Sequence, residues 1–172
     1  MPSPLEHPAV HRVLEAAARK GVTLEVTAFA DSTHTATDAA RALGTDLAQI
    51  VKSLVFVTTG DDGALEPIVV LVSGADRVDL DRLAAVIGRR DIRRASAREA
   101  DELTGFTIGG IPPIGHTQRA RVVMDPELTR YETVWAAAGL PTAVFPVSPA
   151  TLRMLADAHV APVAEVPVEQ AS

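Results

Sequence analysis

The chain has 172 residues, of which 47% are hydrophobic and 22% charged, and a net charge of −6. That length favours one domain burying roughly two-thirds of its unfolded surface, and the apolar content excludes global disorder. The charge excludes bulk electrostatic coating of nucleic acid, no run reaches the ~20 apolar residues of a membrane span, and the absence of cysteine excludes disulfides and thiolate chemistry.

Pro8 to Lys20 reads as a helix, with Val10, Val13, Leu14 and Ala17 on one face and Gly21 as its stop. Val22 to Phe29 is rich in β-branched residues and reads as a strand. Thr35 with Asp38 has N-cap spacing and opens a short alanine-rich helix ending before Gly44. Ile50 to Thr58 is a strongly apolar strand, Asp61-Asp62-Gly63 a turn, and Pro67 to Ser73 the return strand of a hairpin.

Asp79 caps a helix to about Ile87, closed by Gly88. Asp91 to Ala95 is a short strand, and Ser96 with Glu99 has capping-box spacing for a helix ending near Thr104-Gly105. Phe106 to His116 is a loop rich in glycine and proline. Further strands are expected at Arg121 to Met124, Glu132 to Ala137 and Thr142 to Val147. Ser148-Pro149 starts a last helix running to about Ala158.

Strands and short helices alternate without a βαβ rhythm. The pattern predicts a single α+β domain over residues 1–160, with a central mixed, mostly antiparallel sheet flanked by short helices. Residues 161–172 are expected to form a frayed tail. The first eight residues lack the basic and apolar regions of a secretory signal, so the expectation is a cytoplasmic protein with no membrane association.

Two features stand out chemically. Lys52 sits in a strand whose two faces, Ile50/Leu54/Phe56 and Val51/Val55/Val57, are both apolar. An ammonium there needs a polar cavity or an anionic partner, unless it lies on an edge or snorkels to solvent. The second is the segment from Thr104 to His116. Gly109-Gly110 opens backbone conformations closed to other residues, and Pro112-Pro113 stiffens the loop. Such a bend either aims amides at an oxygen, as an oxyanion hole does, or is a rigid surface loop. It is neither a dinucleotide fingerprint nor a P-loop.

Cations are uneven too: fourteen of the sixteen are arginine, and Arg89, Arg90, Arg93, Arg94 and Arg98 fall within ten residues. The cluster reads either as an RNA-backbone contact or as a solvated surface. Aromatic residues, at 3%, are too few for a base-stacking platform. The histidines are scattered and His7/His11 lack the glutamate of a zincin motif, so no metal or cofactor is expected. Asp125 before Pro126 reads as a turn-forming carboxylate.

Val51-Lys52-Ser53-Leu54-Val55-Phe56, followed by Gly109-Gly110-Ile111-Pro112-Pro113-Ile114-Gly115-His116, resembles the two signature segments of the YbaK/EbsC family. These are free-standing relatives of the editing domain inserted in bacterial prolyl-tRNA synthetase. The Thr35 helix, Leu103-Thr104-Gly105, Val123-Met124-Asp125 and the closing Ala138-Gly139…Pro149…Leu152 follow in the same order, so the likeness spans residues 8–158.

The resemblance implies hydrolysis, in trans, of the ester of a mischarged aminoacyl-tRNA, with tRNA-Pro or a related tRNA as substrate and prolyl-tRNA synthetase as a partner. It makes Lys52 the motif lysine, supplying charge to the ester oxygen or terminal phosphate, with the amides around Gly109 and Gly110 receiving the carbonyl oxygen. Thr33, Thr35, Pro113, Gly115 and His116 are the implied pocket residues, and Arg89, Arg90, Arg93 and Arg94 the candidates for the tRNA backbone. The alternative is a non-catalytic module of the same fold that binds an aminoacyl or nucleotide end, or a protein partner.

Overall fold

The computed structural model describes residues 3–30 and 35–166. Five α-helices flank one mixed sheet of eight strands among the described residues. In chain order these are α1 (Pro8–Ala18), β1 (Thr27–Ala28), α2 (Ala36–Leu43), β2 (Ile50–Thr59), β3 (Leu65–Ser73), α3 (Leu80–Ile87), β4 (Arg93–Arg94), α4 (Ala97–Thr104), β5 (Arg121–Met124), β6 (Val134–Leu140), β7 (Ala143–Val147), α5 (Pro149–Ala156) and β8 (His159–Val160). The sheet order is β1-β7-β6-β2-β3-β5-β8, with β4 added beside β2. The β2–β3, β2–β4, β6–β7 and β1–β7 pairs are antiparallel; β2–β6, β3–β5 and β5–β8 are parallel. Among the described residues no helix is long and apolar enough to cross a membrane.

The β2–β3 hairpin is the spine, in unbroken register from Val51↔Ser73 to Thr59↔Leu65. Its double-sided apolarity follows from being covered twice. Val51, Val55 and Val57 join the larger core with α1 and the buried Phe106, Ile111 and Ile114. Phe56, Ile68, Val70 and Val72 pack on the other face against Leu83 and Ile87 of α3. Near the start of β2, Ile50 joins Ala39 and Ala40 of α2 in a third, small cluster.

The caps expected from sequence form. Thr35–Asp38 and Ser96–Glu99 make reciprocal capping boxes, while Asp79 and Ser148 accept from first-turn amides. Gly44, Gly88 and Gly105 close their helices in the left-handed conformation. α5 stops at Ala156 rather than Ala158, because Asp157 itself turns left-handed at φ 49°.

Two segments differ from the sequence reading. Val22 to Phe29 contributes only Thr27–Ala28 to the sheet. The Val22 amide is taken by the Ala17 carbonyl at the end of α1, and the chain reaches β7 only at Thr27↔Val144 and Ala28↔Ala143. The expected frayed tail is docked as far as Glu165. Val163 is fully buried, Ala164 bridges Val78, and the Glu165 amide donates to the Arg77 carbonyl. The anchor is Asp125, 2% exposed, whose carboxylate accepts from the amides of Glu127, Val163 and Ala164 at 2.9 Å each.

Candidate active site

β2 changes partners halfway along one edge. Ile50 and Val51 are in register with β6, and Phe56 and Val57 with β4. Between them, Lys52 to Val55 border a break in the ladder, and a cavity of about 240 Å³ opens there. Its walls come from both sides of the sheet: Thr35, Ala36 and Ala39 of the α2 region and Trp135 on one side, Ala100 of α4 with Ile108, Gly109 and Ile111 on the other. Most of the lining is aliphatic, with Val51, Leu54, Val55 and Val144 beside it. Besides Thr35 and Trp135, three polar residues border the cavity.

Lys52 is half-buried, and its Nζ donates to the backbone carbonyl of Asp76, in the loop that follows β3. Burial lowers its pKa from the ordinary lysine value. The Asp76 carboxylate opposes this, while Arg77 and Arg94 add to it. An ammonium carries three N–H donors, so one carbonyl leaves donors for a ligand. Next to it, the Ser53 hydroxyl is buried and finds no hydrogen-bond partner among the described residues. The third group is Arg94, whose guanidinium lies 5.6 Å from the centre of the Phe56 ring and borders the cavity while exposed to solvent.

The glycine–proline loop is built by packing. Gly109 adopts φ +100° and lines the cavity, close to Pro141. Gly110 does a different job from the one its motif implied. Its amide donates to the Thr107 carbonyl at 3.0 Å, and a Cβ there would meet the Leu140 backbone at 2.7 Å. Gly110 is therefore a close-approach glycine seating the loop on β6, with its N–H engaged inside the turn.

The later loop residues turn away from the cavity. Pro113 is buried, and a Cβ on Gly115 would come 3.2 Å from the Arg12 carbonyl of α1. His116 bonds the Pro112 carbonyl through Nε2 at 2.7 Å and meets Phe106 edge to face; burial lowers its pKa. Arg12 completes this seat, donating to the Gly105 carbonyl at 2.8 Å with its guanidinium 4.3 Å over the Phe106 ring. Gly115 thus lies against α1 and His116 braces the loop on itself, and none of Pro113, Gly115 and His116 lines the cavity.

Of the other expected residues, Thr35 lines the wall while its hydroxyl caps α2, and Thr33 lies outside the described residues. The arginine cluster divides. Arg93 forms a bidentate pair with Glu99 at 2.8 Å, and Arg89 lies 3.4 Å from Asp91 and donates to the Thr59 carbonyl. Arg90 and Arg94 are exposed and have no carboxylate partner among the described residues. Sequence reasoning missed Ser53, Trp135 and the role of the Asp76 carbonyl. None of the three left a distinct signal, since a serine beside the lysine on the opposite strand face is an ordinary strand residue by sequence alone. Among the described residues no three histidine or acidic side chains converge as metal ligands do.

The chain matches the family model described as "Aminoacyl-tRNA editing domain" over residues 30–155. A crystal structure of a candidate trans-editing enzyme for prolyl-tRNA synthetase superposes with a TM-score of 0.84 at 42% identity, covering 93% of this chain and 99% of that one. The multifunctional Ser/Thr-tRNA deacylase ProXp-y of Escherichia coli (strain K12) is 35% identical over 98 residues, 56% of this chain and 58% of its own length. A proline–tRNA ligase of Limosilactobacillus fermentum is 32% identical over 95 residues, which are 55% of this chain but 17% of the ligase. The chain therefore spans only part of the length of these curated relatives. With the cavity between the lysine strand and the Gly109 turn, these likenesses agree on one assignment: the chain belongs to the aminoacyl-tRNA editing domain family.

Proposed function

We propose that this chain is a trans-editing deacylase that hydrolyses the ester joining a wrong amino acid to the terminal ribose of a tRNA. The observation that carries the reading is that Lys52, Ser53 and Gly109 border one cavity, at the point where β2 has no registered neighbour on that edge. At about 240 Å³ it is smaller than the ~300–1,000 Å³ typical of small-molecule sites. That size suits an aminoacyl group and its ribose, leaving the rest of the RNA outside.

An aminoacyl ester is an activated substrate, so positioning and charge stabilisation suffice without a protein nucleophile. Water attacks the ester carbonyl carbon, the bond from that carbon to the ribose oxygen breaks, and the ribose hydroxyl leaves with a proton. Lys52, held by the Asp76 carbonyl, offers its remaining N–H donors to the developing oxyanion or to the terminal phosphate. The Ser53 hydroxyl, which has no hydrogen-bond partner among the described residues, donates to a polar atom of the aminoacyl group. Gly109 shapes the turn against that group, while Arg94, with Arg90 beyond it, meets the RNA backbone. The apolar walls select a small side chain. Relatives that act on Ser- or Thr-charged tRNA and that charge proline make mischarged tRNA-Pro the first substrate to test, with prolyl-tRNA synthetase as partner and the cytoplasm as the compartment.

The test is multiple-turnover deacylation of tRNA-Pro charged with Ser, Thr, Ala or Cys, at protein concentrations far below substrate. At least one should turn over, and Lys52→Ala should abolish that turnover without changing the thermal unfolding midpoint. Binding without turnover across the panel points instead to a recognition module. The pH profile separates the roles of the lysine. A working ammonium loses activity as pH rises through a pKa below the ordinary lysine value, whereas a working base gains it over the same range.

A further inference from the structure

We infer that a second groove, at the far end of β2, binds phosphates of the RNA whose aminoacyl end enters the cavity; this rests on the deacylase reading above. The groove lies where the parallel strands β3, β5 and β8 begin. Arg89, Arg119, Arg121 and His159 border it, converging from the loop after α3, the start of β5 and the start of β8. Two acids, Glu66 and Asp157, border it as well, but Asp157 is paired with Lys20 at 2.7 Å. Arg119 is exposed and has no ion-pair partner among the described residues; Arg121 is exposed and donates only to the Ile87 carbonyl, at 3.3 Å.

The continuity of the cations favours a polyanion over a small anion. Thr58 in the groove and Lys52 in the cavity are six residues apart on β2, ~20 Å at the usual strand rise. The Arg89–Arg94 segment runs alongside β2 between them: Arg94 opposite Phe56, Arg93 opposite Val57, and Asp91 receiving the Thr59 amide. One end of that segment borders the cavity through Arg94 and the other borders the groove through Arg89. The acids along it are engaged, Asp91 by Thr58, Thr59 and Arg89, and Glu99 by Arg93. Arg94, Arg90, Arg119 and Arg121 remain as cations without a carboxylate partner among the described residues, strung from the cavity mouth to the groove. A phosphodiester chain leaving the cavity meets them in turn. In a chain of net charge −6 this is a local track rather than general basicity.

The experiment compares wild type, Arg119→Glu and Arg119→Glu/Arg121→Glu for binding of uncharged tRNA across a salt series, with Arg153→Glu as a charge control elsewhere. Each protein is also assayed on an aminoacylated CCA trinucleotide, too short to reach the groove. The expected result is a loss of tRNA affinity of about tenfold or more in the double variant, with the log–log salt slope shallower by roughly 2, as two lost phosphate contacts dictate. Arg119→Glu alone should show about half that change in slope, Arg153→Glu little, and trinucleotide turnover should persist in all. Unchanged tRNA affinity and slope in both groove variants overturn the inference. So does displacement of inorganic phosphate from the groove by the same substitutions while tRNA binding is unaffected, which would mark a small-anion site. Failure of the wild-type protein to hydrolyse the trinucleotide and every charged tRNA sinks the deacylase reading instead, so the two failures are distinct.

Discussion

Ser53 carries a buried hydroxyl with no hydrogen-bond partner among the described residues. Such a group costs about 1–3 kcal/mol, which a folded protein tolerates where a ligand completes the bond. Ser53→Ala should therefore leave stability unchanged or raise it by up to about 1 kcal/mol, while lowering kcat/KM for the preferred aminoacyl ester by roughly 5- to 100-fold. Denaturant unfolding and deacylation kinetics read the two effects separately. A fall in stability together with activity makes Ser53 a packing residue only. Lys52 was legible in the sequence because a cation between two apolar strand faces is anomalous wherever it occurs. Ser53 was not, because a serine in a strand is ordinary until its neighbours are known. Gly110 and His116 show the opposite failure. Their residue types are those of an active-site loop, yet Leu140 and Pro112 claim them, and both contacts depend on how the loop seats on β6 and α1.

At the scale of elements, the short β4 strand and α4 are held by two carboxylates, the exposed Asp91 and the half-buried Glu99. Asp91 accepts from the Thr58 hydroxyl and the Thr59 amide, which lowers its pKa to about 2. Glu99 accepts from Arg93 and from the Ser96 amide and is lowered to about 2 as well. Both folded pKa values lie below the ordinary 3.8 and 4.5, so their stabilisation is fully present above pH ~5 and is lost as pH falls towards about 2. Acid titration of stability should show this loss, and Asp91→Asn/Glu99→Gln should flatten the curve between pH 5 and 2 while lowering stability at pH 7. An unaltered curve would mean that the unfolded chain holds these carboxylates equally well. Capping boxes such as Ser96–Glu99 were legible because both partners lie within one turn of chain. β1 was not, since its two-residue pairing with β7 depends on where the sheet leaves an open edge, some 115 residues further along.

Across the whole molecule, Asp125, just after β5, ties that strand to the end of the described chain. Its carboxylate holds the Val163 and Ala164 amides; Ala164 bridges Val78, and the Val163 carbonyl accepts from the Asp79 amide. That contact pins the loop containing Asp76, whose carbonyl in turn holds the Lys52 ammonium. A residue expected from sequence to make one local turn thus links three parts of the fold, because two of its three donors lie 38 and 39 residues away. Asp125→Ala strands three amide donors, two of them on the docked segment, and should cost about 3 kcal/mol, lowering the unfolding midpoint by roughly 6–12 °C in a domain of this size. Because the loop loses its backing, deacylation by the still-folded variant should fall as well, mainly in kcat, as the lysine loses its fixed position. Lysine 52 should then titrate differently in the pH–rate profile, a shift that lost stability alone does not produce. A variant that unfolds earlier yet keeps the wild-type kcat and pH profile would show that the Asp76 loop holds Lys52 without help from the docked segment.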